Sequence, residues 1–69
     1  MTQKEIVLQH LKLYGSITPK DAMNIYGIMR LGARIYDLKG EGPLISKEME
    51  RGINRFGRPI AYARYFLRI

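Results

Sequence analysis

The apolar residues of this chain change period at Gly40-Glu41-Gly42-Pro43, and that switch constrains the fold more than any other feature. Before it, apolar side chains recur at helical spacing; after it they alternate in twos, as along a strand with two unlike faces. Two glycines and a proline leave no helix and little strand between the halves. The order is helices first and sheet second, an α+β chain.

The helical half is punctuated by caps. Thr2 and Glu5 have capping-box spacing, in which hydroxyl and carboxylate satisfy each other's free backbone donors. Ile6, Val7, His10, Leu11 and Tyr14 follow at helical spacing and Gly15 stands as a stop, which predicts a helix over about 3–14. Thr18 as N-cap, Pro19 at the first helical position and Asp21 in the first turn start a second helix, about 19–26. Ile17, between the two, reads as one bridge of a short strand. Tyr26-Gly27-Ile28 is a tight break before a third helix, about 29–40.

In that third helix Leu31, Ile35 and Leu38 form the arc that faces a core, and Met29, Arg30, Ala33, Tyr36 and Asp37 occupy the far side. Arg34 lies on the boundary of the arc, three residues before Asp37, a spacing that predicts an intrahelical ion pair. Gly32 in mid-helix costs about 1 kcal/mol against Ala. Its use is therefore close packing or close backbone approach.

Beyond Pro43, residues 44–49 and 60–67 are rich in β-formers and read as two strands. The segment between, Arg51-Gly52-Ile53-Asn54-Arg55-Phe56-Gly57-Arg58-Pro59, reads as a flexible, turn-rich connection too long for a tight hairpin and too basic for a core. No internal repeat or low-complexity segment is visible.

With 69 residues the chain is expected to be one domain, 1–69, with a small core and no deep substrate cavity. The absence of cysteine excludes disulfide staples, thiol chemistry and zinc sites built on Cys, and favours a reducing, cytoplasmic setting. No apolar run approaches a membrane span, and charge runs through the N-terminal segment, so a soluble, untargeted protein is expected. Net charge is +6 and the pI is near 10.0, in the range of nucleic-acid-binding domains. The charge is concentrated: from Arg51 onward stand Arg51, Arg55, Arg58, Arg64 and Arg68 with no acid, which is +5 of the +6.

Three helices with a tight turn before the third, followed by a two-stranded ribbon, is the plan of a winged helix-turn-helix. The runs Ile17-Thr-Pro-Lys-Asp-Ala, Ile28-Met-Arg-Leu-Gly-Ala-Arg-Ile-Tyr-Asp-Leu-Lys-Gly-Glu-Gly and Ala61-Tyr-Ala-Arg-Tyr-Phe-Leu resemble small winged helix-turn-helix domains of bacteriophages and prophages. The resemblance covers nearly the whole chain. It implies a third helix used for DNA recognition and a β-hairpin wing beside it, in a repressor, an excisionase-like recombination factor or a replication protein.

The residues agree with that reading. A helix laid in a major groove needs an Arg able to reach guanine bidentately and small residues that permit close approach, which Arg30 and Ala33 supply near its N-terminal end. Arg34, Tyr36 and Asp37 complete the candidate helix contacts. Arg51, Asn54, Arg55 and Arg58 supply a cationic finger for the backbone or a minor groove. The expected partner is double-stranded DNA, bound by a monomer, a dimer on half-sites about 34 Å apart, or cooperative neighbours. The alternative is a winged-helix interaction module that grips an acidic partner protein; RNA is a lesser third, for no stacking platform is visible.

The remaining residues give no support to catalysis or to a cofactor. His10 falls on the apolar arc of its helix and reads as a packed imidazole without a second ligand. Ser16 and Ser46 have no histidine at a suggestive position, and no phosphate loop has the required spacing. Glu48 and Glu50 share a strand face and are expected to balance arginines across the hairpin. Tyr14, Tyr26, Tyr62, Tyr65 and Phe66 read as core or core-edge residues, with Met23 and Met29 as gap-fillers at the turn. Tyr36 and Phe56 are set apart as exposed aromatics able to stack on a sugar or base or to enter a protein contact.

Overall fold

The computed structural model describes residues 1–68. In chain order it holds α1 (Gln3–Tyr14), β1 (Ser16–Ile17), α2 (Pro19–Tyr26), α3 (Leu31–Lys39), β2 (Ile45–Ile53) and β3 (Pro59–Leu67). The caps account for the helix ends. At Thr2 the capping box is complete, with Glu5 N–H donating to the threonine hydroxyl at 3.2 Å and Thr2 N–H donating to Glu5 Oε1 at 2.9 Å. A second box opens α2: Thr18 N–H donates to Asp21 Oδ2 and Asp21 N–H to Thr18 Oγ1, each at 3.1 Å. Gly15 and Gly27 end α1 and α2 in the left-handed conformation, φ 85° and 68°, a region that side chains with a Cβ disfavour. Thr18 is buried; Thr18→Ala is therefore expected to cost about 1 kcal/mol, measured as a shift in the urea midpoint.

The carboxyl of Glu5 is held below its ordinary pKa, first by the Thr2 backbone N–H and then by the Thr2 hydroxyl. A depressed folded-state value means that this group supports the fold above its unfolded pKa and ceases to do so as pH falls through the folded one. Glu5→Gln should accordingly lower the neutral plateau of a pH–stability curve slightly and flatten its acid limb, the two curves meeting at low pH where the parent carboxyl is protonated.

Helix α3 starts two residues later than its apolar spacing suggests. Ile28 is almost fully buried and its N–H donates to Ala22 O, so the chain is pinned in the core at Ile28 and enters the helix only at Leu31. Arg30 is thus the N-cap, at φ −116° and ψ 60°, with no side-chain capping bond.

The sheet has three strands in the order β1-β3-β2, all antiparallel, rather than the two of a simple wing. β1 adds Ser16 opposite Phe66 and Ile17 opposite Tyr65. Ile17 thereby ties the strands to the helices. The long connection between strands is also shorter than expected: β2 and β3 stay paired as far as Ile53 opposite Pro59, and only Asn54–Arg58 are left to turn. Asn54 is the physical reason. Its N–H donates to Arg58 O at 2.9 Å, its O accepts from Gly57 N–H at 2.9 Å, and its Oδ1 accepts from Phe56 and Arg58 N–H at 2.9 and 3.0 Å.

The core is one cluster of Val7, Leu11, Ile17, Ala22, Ile28, Leu31, Ile35, Leu38 and Ile45, enclosed by the three helices and the base of the hairpin. Tyr26, Tyr65 and Leu67 pack against it. His10 is buried with Nδ1 2.7 Å from the Tyr26 hydroxyl, a packed imidazole as its place on the apolar arc predicts. Tyr14, Met23 and Met29, expected in or beside the core, are exposed instead. Tyr14 lies in the last turn of α1, beyond the core, with its ring tilted against His10 at 4.6 Å, and the burial of Ile28 turns Met29 outward.

Candidate nucleic-acid interface

Strand alternation sorts the hairpin into two faces. On one lie Ile45, Lys47, Met49, Arg51 and Ile53 of β2 opposite Leu67, Tyr65, Ala63, Ala61 and Pro59 of β3. This face is continuous with the core at Ile45 and Leu67, and the Tyr65 hydroxyl lies 3.8 Å from where a Cβ on Gly32 would stand. It is the face beside α3. Ala61 and Ala63, opposite Arg51 and Met49, keep it low.

The other face is closed by its own charges. Arg64 Nε donates to Glu50 Oε2 at 2.9 Å and its Nη1 to Ser16 Oγ at 3.1 Å, which pins the hairpin to β1. The Glu50 carboxylate pushes the Arg64 guanidinium still further above its ordinary pKa. Arg68 donates to Ser46 Oγ at 2.7 Å and Glu48 Oε2 at 3.0 Å, with its guanidinium carbon 4.7 Å from the centre of the Phe66 ring. Glu48 and Glu50 do balance arginines across the hairpin. The five tail arginines therefore do not act alike: three, Arg51, Arg55 and Arg58, have no acidic partner among the described residues.

Every acid of the chain is engaged within it. Glu5 and Asp21 sit in the capping boxes; Asp37 pairs with Arg34, Glu41 with Lys4, whose pKa it raises through their hydrogen bond, Glu48 with Arg68 and Glu50 with Arg64. Among the described residues, Lys12, Lys20, Arg30, Lys39, Lys47, Arg51, Arg55 and Arg58 have no such partner. Six of these eight lie on the same parts of the fold: Arg30 and Lys39 at the ends of α3, Lys47 and Arg51 on the wing face beside it, and Arg55 and Arg58 at the wing tip.

The residues singled out from sequence fall into three groups. Arg30, Ala33 and Tyr36 lie on the outer side of α3, opposite the buried arc of Leu31, Ile35 and Leu38, with Met29 beside them; Met29 and Tyr36 are 80% and 79% exposed. Arg34 and Asp37 belong to the α1 side of the helix: Arg34 Nε lies 3.3 Å from Asp37 Oδ2, outside hydrogen-bond geometry, and its Nη1 donates to Gln3 Oε1 at 3.4 Å. The ion pair holds them there. On the wing, Arg51 is a strand residue and not part of a flexible finger, Asn54 holds the turn with its Oδ1, and Arg55 and Arg58 are exposed on that turn. Sequence reasoning missed Lys39 and Lys47. The signal for Lys47 was available, since it stands two residues after core-facing Ile45 and four before Arg51 on one alternating face.

Gly32 is not required by packing within the protein, because an added Cβ would meet only the Tyr65 hydroxyl at an ordinary distance. Gly32→Ala is expected to raise stability by roughly 0.5–1 kcal/mol, read as a higher thermal midpoint.

No helix among the described residues is long and apolar enough to cross a membrane, and no group of three His, Cys, Asp or Glu is placed to hold a metal ion. Searches of curated proteins and of solved structures return no match. The family model described as "Winged helix-turn-helix domain" matches residues 2–68. A helix-turn-helix whose third helix lies beside a hairpin, matched by that model over nearly its full length, places the chain in the winged helix-turn-helix domain family, whose general role is DNA binding.

Proposed function

We propose that this chain is a sequence-selective double-stranded DNA-binding protein, a phage-type transcriptional regulator or excisionase-like recombination factor, acting as one domain in the cytoplasm. In this reading α3 enters the major groove and the wing follows the backbone toward the adjoining minor groove. The supporting observation is the segregation of charge: all acidic side chains are engaged in caps or ion pairs, while six cations without an acidic partner among the described residues border α3, the wing face beside it and the wing tip. A surface so arranged attracts a polyanion most strongly along α3 and the wing. Arg30 is the candidate for a bidentate guanine contact, and Met29, Ala33 and Tyr36 offer apolar contact to thymine methyl groups.

The test is fluorescence anisotropy with a random-sequence duplex over a salt series, followed by selection of preferred sequences. With about five phosphates engaged the slope of log affinity against log salt should be near −4 to −5. On the selected site, Arg30→Ala should cost about 1–3 kcal/mol and relax preference at one base pair. An affinity indifferent to salt, or no binding at low salt, would overturn the reading.

A further inference from the structure

The wing tip presents an aromatic ring that neither the fold nor phosphate binding explains. Phe56 is 83% exposed and packs on nothing in the core. Its backbone is nevertheless held in place, because its N–H and that of Arg58 both donate to Asn54 Oδ1 and the turn is closed on both sides by Asn54 backbone bonds. Arg55 and Arg58 flank it, and Ile53 and Ile60 are exposed at the base of the turn. Phe56, Ile53 and Ile60 together make an exposed apolar tip on a braced turn, with Arg55 and Arg58 lacking an acidic partner among the described residues, an arrangement suited to contact with another surface.

We propose that Phe56 is a wedge that enters the minor groove next to the α3 site, separates one base step and kinks the duplex. The inference rests on the DNA-binding reading above and adds to it a deformation of the target. Its geometry comes from the hairpin. The wing meets α3 at Tyr65, opposite Lys47, and the strands run six residue steps further to Ile53 opposite Pro59. At about 3.3 Å per step this is a reach of about 20 Å. Half a helical turn of DNA is about 17 Å, from a repeat of about 34 Å. With α3 in one major groove and the wing along the duplex, the tip arrives at the neighbouring minor groove.

The chemistry fits that destination. Arginines enter minor grooves readily where they are narrow and electronegative, and apolar side chains inserted between base steps bend DNA by about 20–90°. Arg55 and Arg58 supply the charge and Phe56 the wedge. Pyrimidine–purine steps such as TA unstack most easily, so the tip adds selectivity at a position that α3 never touches.

The experiment uses a duplex of about 30 base pairs, a length on which a kink is readable, with donor and acceptor dyes at its ends and a 2-aminopurine beside a central TA step. Anisotropy reports binding, energy transfer reports bending, and 2-aminopurine fluorescence reports unstacking. The parent protein should raise both transfer and 2-aminopurine emission. F56A should still bind, about ten-fold more weakly, with both signals lost, while F56W should restore them; the exposed position lets both variants fold. Binding by the parent without bending, or equal bending by F56A, overturns the wedge and leaves the DNA-binding reading standing. Absence of duplex binding by the parent overturns both. Phe56-dependent partition onto phosphatidylglycerol vesicles, with DNA left straight, would assign the tip to a lipid surface and likewise reject the wedge.

Discussion

Replacing Arg51, Arg55 and Arg58 together by alanine is expected to weaken duplex binding at 0.1 M salt by about 500-fold and to make the salt slope shallower by about 2.7. Each arginine that neutralises a phosphate contributes about 0.9 to the slope, and 0.1 M lies one decade below the 1 M at which counterion release adds nothing, so three contacts are worth about 2.7 decades. The three side chains have no acidic partner among the described residues and all are exposed. Their loss should leave the circular dichroism spectrum and thermal midpoint nearly as they were. Arg68 and Arg64 provide the contrast, being engaged with Glu48 and Glu50 on the face turned away from α3. Arg68→Ala should change the salt slope by less than a third of a unit, although it lies in the same basic tail. Lys47→Ala should remove a further unit or so. An unchanged slope in the triple variant would show that the wing stays clear of the phosphates, whatever α3 does.

The second large effect concerns the fold. Leu11→Ala is expected to remove a large share of the protein's stability, because Leu11 is 1% exposed and is one of the largest fully buried side chains. Truncating a buried leucine costs about 2–5 kcal/mol, and a chain of this length has roughly 3–10 kcal/mol in all. A loss of about 3 kcal/mol lowers the melting temperature of so small a domain by about 12–24 °C. Leu13, two residues on, is 66% exposed, so Leu13→Ala should move the midpoint by less than about 3 °C. Thermal melts of the two variants side by side decide the matter: equal shifts would mean that α1 does not bury the face described.

Much of this architecture is legible in the residues. Local hydrogen bonding sets helix starts and stops, and Thr2 with Glu5, Thr18 with Pro19, Gly15 and Gly27 mark α1 and α2 at their observed ends. The arc of Leu31, Ile35 and Leu38 is buried as its spacing predicts, and Arg34 meets Asp37 at i, i+3. These are interactions between near neighbours, whose geometry the helix itself supplies. The start of α3 is different, for it depends on Ile28 being drawn into a core assembled from α1, α2 and α3. The paired length of the wing is different too, because an arginine- and glycine-rich segment looks like loop until Asn54 closes the turn and cross-strand pairing holds it as strand.

The candidate site divides along the same line. By itself the sequence determined that the chain is helices followed by a ribbon, that its basic charge crowds into the tail, and that Glu48 and Glu50 share one strand face. Only the tertiary structure decided which face of the ribbon looks toward α3. Alternation groups Lys47 with Arg51, and Glu48 with Glu50, but it is symmetric between the two sides of a sheet. The burial of Ile45, the packing of Leu67 on the core and the seating of Tyr65 against Gly32 break that symmetry, placing Lys47 and Arg51 on the face beside α3 and the ion-paired arginines behind.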